Sequence, residues 1–251
     1  MSRRAERRAS RREEVLVAAM KLVAEEGLDA LTIQRIAGAI NASVGGLYRY
    51  YEGKDALLAA LQQRALGTVA EDQARDVETA RTLFARGGEP AGVVALAAAL
   101  VGATVVLRHA TRRPEEHRLL DVFLTSPEPV FSDETAKSGE SAIQPLVKLV
   151  ADEIDAAASD GTLEHGDSAQ RTHVLWAALH GLDHFRKRDR LLPQSLRIGQ
   201  LVPATLVALA RGWGATPAKA NRAAALLATF DAHDAEPRSG EIATGEARQV
   251  S

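Results

Sequence analysis

Residues 32–54, TIQRIAGAINASVGGLYRYYEGK, decide the fold. Thr32 has the side chain of an N-cap, able to accept a bond from a first-turn amide, and Ile33, Ile36, Ala37 and Ile40 follow at helical spacing. Asn41 stops that helix, because asparagine tolerates the left-handed conformation that a tight turn between helices needs. Ser43 then offers a second N-cap, and a short helix is predicted over Val44 to Tyr50. Val44 and Leu47 can pack inward, which leaves Gly45, Gly46, Tyr48 and Arg49 for the other side. Adjacent glycines each cost a helix about 1 kcal/mol against alanine. A chain that keeps both needs a surface flat enough for something to come close. A recognition helix lying in the major groove of DNA has that need, so the stretch reads as a helix-turn-helix.

Outward from this stretch the pattern continues on both sides. A helix ends at Glu25-Glu26-Gly27, the second helix carries Thr32 and Ile36-Ala37, and the third carries Ser43 and Leu47-Tyr48-Arg49-Tyr50-Tyr51. Lys54-Asp55-Ala56-Leu57-Leu58 opens the next. With these residues, 11–58 resemble the DNA-binding domain of the TetR family of bacterial transcriptional repressors. The usual Gly-Val-Ser turn is here Asn41-Ala42-Ser43, which preserves the backbone angle and trims one core contact, and Tyr51 stands where Phe is commoner. The resemblance implies a homodimeric one-component repressor on a palindromic operator, with a C-terminal effector domain whose middle helices surround a ligand cavity and whose late helices pair with a second subunit. It assigns Tyr48 and Lys54 to phosphate contact and Ser43, Val44, Gly45, Gly46 and Arg49 to the groove, with Thr32 heading the supporting helix.

The formal net charge of −2 looks wrong for a DNA binder until the charge is located. Residues 1–12 hold Arg3, Arg4, Arg7, Arg8, Arg11 and Arg12 against Glu6 alone, a local positive footprint directed at the minor groove or the phosphate backbone. Ser10-Arg11-Arg12 before Val15-Leu16-Val17 imitates a twin-arginine export signal, but Glu13, Glu14 and Lys21 interrupt it. Ser10 and Glu13 have instead the spacing of a capping box. The absence of cysteine removes disulfides, thiolate metal sites and cysteine catalysis, and fits a cytoplasmic location. The longest uncharged run, 91–107, is short of the ~20 residues a membrane span needs and reads as a buried core helix.

The rest of the chain is predicted all-α. Helices are expected over about 11–26, 54–84, 91–112, 115–124, 138–159 (with Pro145 predicting a kink or late start), 167–188, 193–211 and 216–231. The domains are then a basic arm at 1–10, the helix-turn-helix at 11–54, an effector and dimerisation domain at 55–230 and a disordered acidic tail at 231–251. The helix at 167–188 is apolar on two adjoining stripes, and the second, Val174, Ala178, Gly181 and Phe185, suggests a partner helix from another copy. His180 and His184 have an i,i+4 metal spacing without supporting ligands, and the run 185–190 suits a solvated helix end. No phosphate loop, cofactor motif or catalytic triad is present in the sequence, so the rival to a regulator is a helical small-molecule-binding or enzymatic protein with a structural N-terminal hairpin. Val94, Leu100, Leu107, His109, Phe123, Phe131, Trp176 and His180 come from segments expected around the cavity, and their apolar majority points to a hydrophobic effector.

Overall fold

The computed structural model describes residues 3–125 and 133–235, and among these every regular element is helical. Eleven α-helices are described: α1 Arg3–Glu26, α2 Ile33–Ala39, α3 Val44–Tyr48, α4 Lys54–Arg86, α5 Ala91–Ala103, α6 Val105–Arg112, α7 Pro114–Thr125, α8 Asp133–Ser159, α9 Ser168–Phe185, α10 Ile198–Gly212 and α11 Pro217–Ala235.

Two cores organise them. The N-terminal core is built by Val15, Ala19 and Val23 of α1, Ile33 and Ile36 of α2, Leu47 of α3 and Leu57, Leu58 and Leu61 of α4. The larger core surrounds α5, where Val93 and the run from Ala95 to Ala103 are buried. With no polar side chain between Ala91 and Ala103, that helix has no face suited to water, so α4, α8 and α11 pack around it. Gly102 permits α4 and α8 to pack close: a Cβ there would stand 3.0 Å from Val77 of α4 and 3.1 Å from Val150 of α8. Helix α4 runs through both cores, and α7 buries Leu119 fully in the N-terminal core and packs Leu120 against a smaller cluster of Leu66, Val69, Val105 and Leu146.

Several boundaries differ from the sequence reading. The expected arm at 1–10 is not separate from the first helix: α1 begins at Arg3, and Ser10 therefore lies inside it and cannot cap it with Glu13. Arginine, alanine and glutamate are good helix formers, and Glu6 suits a first turn, so the helix continues upstream. The single helix expected over 91–112 is bent by 44° between α5 and α6. There Thr104 Oγ1 donates back to the Leu100 carbonyl at 2.8 Å, and the Arg108 guanidinium reaches into the break to bond the Val101 carbonyl and Thr104 Oγ1. Helix α8 starts at Asp133 and runs through Pro145. Helix α10 starts at Ile198, not at 193, with single 3₁₀ turns at Arg186–Arg188 and Gln194–Leu196 before it. Helix α11 reaches Ala235, so 231–235 are not part of a tail: Arg108 pairs with Asp231 at 3.1 Å and Arg112 with Asp234 at 2.6 Å. The remaining tail, 236–251, lies outside the described residues. Among the described residues no single helix is long and apolar enough to cross a membrane.

Candidate nucleic-acid interface and effector cavity

The helix-turn-helix is fixed by the two caps read from sequence. Thr32 Oγ1 accepts from the Arg35 amide at 3.3 Å, and Ser43 Oγ from the Gly46 amide at 3.1 Å. Between them Asn41 takes a φ of 51°, and among the described residues it is the one non-glycine with positive φ. Arg35 returns to α1 through a two-bonded pair with Glu26 at 2.5 and 2.9 Å, tying the turn to its brace.

On α3 the side chains divide sharply. Leu47 is buried at 1% exposure, whereas Tyr48 is 51% and Val44 36% exposed. The inward packing expected of Val44 is therefore not observed; with only five residues, α3 has one inward position, and Leu47 occupies it. Ser43, Gly45 and Arg49 are exposed beside Val44 and Tyr48, so this face is small, polar at its ends and open. The two glycines differ physically. A Cβ at Gly45 would meet nothing within 4 Å, while one at Gly46 would stand 3.1 Å from the capping Ser43 Oγ. Gly46 protects the cap; Gly45 has no internal reason to be glycine. Tyr51 is a core residue: it is buried, its hydroxyl donates to the Arg12 carbonyl at 3.3 Å and Arg12 lies over its ring. Lys54 is exposed as the first residue of α4, and Arg3, Arg4, Arg7 and Arg8 are exposed on the N-terminal end of α1.

The second site is a cavity of about 70 Å³, partly open to solvent, between α4, α6, α7, α8 and α9. Leu66 and Val69 of α4, Val106, Leu120, Phe123, Ile143 and Trp176 give it an apolar wall. Of the residues expected from sequence, His109, Phe123, Trp176 and His180 line it. Val94 and Leu100 instead pack in the α5 core, Leu107 faces a shallower groove beside α10 and α11, and Phe131 lies outside the described residues. Helix α5 turns its side chains into the bundle centre, and the 44° bend carries only α6 to the cavity.

His109, His117 and His180 line the cavity, and the carboxylates that meet them, Asp72, Glu116 and Asp183, are partners that the sequence reading does not name. His109 is fully buried, with Nδ1 3.5 Å from Asp72 and Nε2 3.7 Å from Glu116, and neither ring nitrogen has a hydrogen-bond partner. Burial lowers the His109 pKa against the opposing pull of Asp72, and burial likewise raises that of Glu116. His117 bonds Asp183 at 3.0 Å, linking α7 to α9 at the cavity. Burial alone would raise the Asp183 pKa, but its bonds from His117 and Arg186 outweigh that and hold it down to about 2. His180 Nδ1 stands 2.9 Å from the Trp176 carbonyl, and burial lowers its pKa as well. The signal for this cluster is in the sequence of α4, where Asp72, Gln73 and Asp76 interrupt an apolar face; a buried carboxylate demands a partner, although periodicity does not say which.

The outer stripe of α9 is as expected from its pattern: Val174 is 41% and Phe185 48% exposed, Gly181 is exposed with open space around it, and Ala178 is partly buried. His173 and His184 lie on the exposed side, and Arg186 of the basic run bonds Asp183.

These two sites give the comparisons with known proteins their meaning. Residues 15–61 match the family model of bacterial regulatory proteins, tetR family. No curated protein matches the chain at a significant level. Among solved structures, a TetR family transcription regulator from Marinobacter aquaeolei VT8 is similar with a TM-score of 0.53 at 19% identity, over 91% of this chain and 97% of that one. FadR from Bacillus subtilis, solved in complex with stearoyl-CoA, gives 0.60 at 13% identity, over 80% and 98%. RolR, solved with resorcinol, gives 0.54 at 18%, over 88% and 95%. The capped α2–α3 pair thus lies within the segment that matches the tetR family model, and the described helices share the fold of these solved regulators.

Proposed function

We propose that this protein is a homodimeric repressor that binds a palindromic operator and is released from it by a small-molecule effector held in the α4–α9 cavity. The observation that carries the reading is the sharing of helices between the two sites. Helix α4 begins at the exposed Lys54 and lines the cavity eight to fifteen residues later with Gln62, Leu66 and Val69. Helix α7 places Leu119 in the core of the DNA-binding domain and the adjacent Leu120 in the cavity wall. A ligand that displaces α7 or α4 therefore moves the helix-turn-helix, because packed cores respond as units. A polar path runs the same way: Arg64 of α4 bonds Glu13 of α1 at 2.9 Å and lies close enough to Glu116 to oppose the rise that burial gives its pKa, and Glu116 faces His109.

Dimerisation supplies the rest. Two recognition helices on one face of DNA must match half-sites about 34–36 Å apart, so a small change of their separation weakens binding. The exposed Val174–Phe185 stripe, with Gly181 allowing close approach, is the surface for the second copy. The solved relatives hold stearoyl-CoA in one case and resorcinol in another, which supports an effector role for the cavity and leaves its chemistry to the lining. Coupling of about 1–3 kcal/mol would change operator affinity about 5–150-fold. The test is fluorescence anisotropy of operator DNA captured from the host genome, titrated with protein and then with host metabolite fractions. Release by a fraction that also raises the melting temperature supports the reading; DNA binding that no fraction alters would overturn effector control.

A further inference from the structure

The hydrogen-bonding capacity left open in the cavity specifies the polar group of its ligand. A carbonyl oxygen only accepts, so the 2.9 Å contact with Trp176 O means that His180 Nδ1 carries the hydrogen and Nε2 presents a lone pair. Gln62 Oε1, also in the lining, is buried without a partner. Both are acceptors, and the buried Gln62 Oε1 requires a donor. Fully buried His109 adds two nitrogens without hydrogen-bond partners.

We propose that the cavity takes a neutral, hydroxyl-bearing apolar molecule, a phenol or an alcohol, whose O–H donates to His180 Nε2 or Gln62 Oε1 while its body packs against Trp176 and Phe123. The proposal rests on the reading of the cavity as an effector site. A carboxylate offers no hydrogen to these acceptors. It would also meet no Lys or Arg among the described lining residues, and Asp121 stands there already. His109 is flanked by Asp72 and Glu116, and His117 is engaged by Asp183, so neither imidazole is available as a counter-charge. An ammonium group could donate, but it would leave water for a wall made of Leu66, Val69, Val106, Leu120, Ile143 and Leu146, with the half-exposed Asp121 at 40% as the lining's carboxylate. Buried acceptors left unpaired discriminate strongly against analogues that lack the donor.

The experiment is calorimetric titration of the full chain with four matched probes: para-propylphenol, propylbenzene, para-propylbenzoate and para-propylbenzylamine. The phenol is expected to bind about tenfold or more tighter than each of the others. In a Gln62→Leu, His180→Phe double variant, checked for folding by circular dichroism, the preference for the phenol over propylbenzene should fall to within about twofold. Equal or tighter binding of the benzoate, the amine or the hydrocarbon by the wild type would overturn the proposal, as would the failure of all four to bind at millimolar concentration. Capture of genomic DNA by the same preparation reports separately on the regulator reading: intact capture with the wrong probe order removes this inference alone.

Discussion

Gly45→Ala should make the protein more stable and a worse DNA binder. At this position a Cβ meets nothing within 4 Å, and the backbone is not in the left-handed region, so alanine adds no clash and no strain. Replacing a helical glycine then stabilises by about 0.5–1 kcal/mol, chiefly by restricting the unfolded chain. For a chain of this size that is a rise in melting temperature of about 1–4 °C. Gly46→Ala provides the contrast. Its Cβ would stand 3.1 Å from Ser43 Oγ, and disturbing that cap costs about 1 kcal/mol, which offsets the gain. On DNA the order reverses in meaning: the methyl at position 45 sits on the exposed face with Val44 and Tyr48 and holds α3 away from the base edges. A loss of about tenfold in operator affinity, or about 1.4 kcal/mol, is expected. Differential scanning calorimetry and anisotropy titration measure the two quantities on the same samples. A Gly45→Ala protein that binds operator as tightly as wild type would refute the reasoning that the glycine exists for close approach.

Further outcomes follow from other parts of the molecule. Lys54→Ala should reduce the slope of log affinity against log salt by about one per bound subunit, read from titrations at several ionic strengths; an unchanged slope removes the phosphate role. Phe185→Asp, on the exposed stripe of α9, should convert a dimer to a monomer in analytical ultracentrifugation at micromolar concentration while leaving the helical circular dichroism intact. Asp183 titrates near 2 when folded and near its ordinary 3.8 when unfolded, so its stabilisation is fully present above about pH 4 and is lost as pH falls towards 2. Allowing for solvent screening, the contribution is about 1–2 kcal/mol, and Asp183→Asn should flatten that part of the acid stability curve. A variant curve with the same acid limb as wild type would show that the His117–Asp183 bond between α7 and α9 contributes nothing.

The sequence revealed most where a residue's role is local. Thr32, Asn41 and Ser43 act through bonds to amides three residues away or through their own φ, and each is observed in that role. The N-terminal boundary differs for a related reason: Ser10 and Glu13 have capping spacing, but a local pattern cannot show that the helix has already begun at Arg3. Long-range chemistry was illegible. Nothing near Asp72 in the chain announces His109, 37 positions on, and nothing near His117 announces Asp183; the bend at Thr104 sets the course of α6, which packs against α4 and α7. That bend depends on Arg108, which reads in sequence as an ordinary charged residue and in the structure caps the Val101 carbonyl. It is also why Val94 and Leu100 became core while His109 reached the cavity.

The proposed function requires α3 to enter a DNA groove as one of a symmetric pair. Genomic fragments captured by the full protein and footprinted with a chemical cleavage reagent test this directly. The prediction is protection of a two-fold-symmetric sequence with half-site centres about one helical turn, or a multiple of it, apart, abolished by Tyr48→Ala with Lys54→Ala. Protection without symmetry, or a footprint that survives the double substitution, would contradict it.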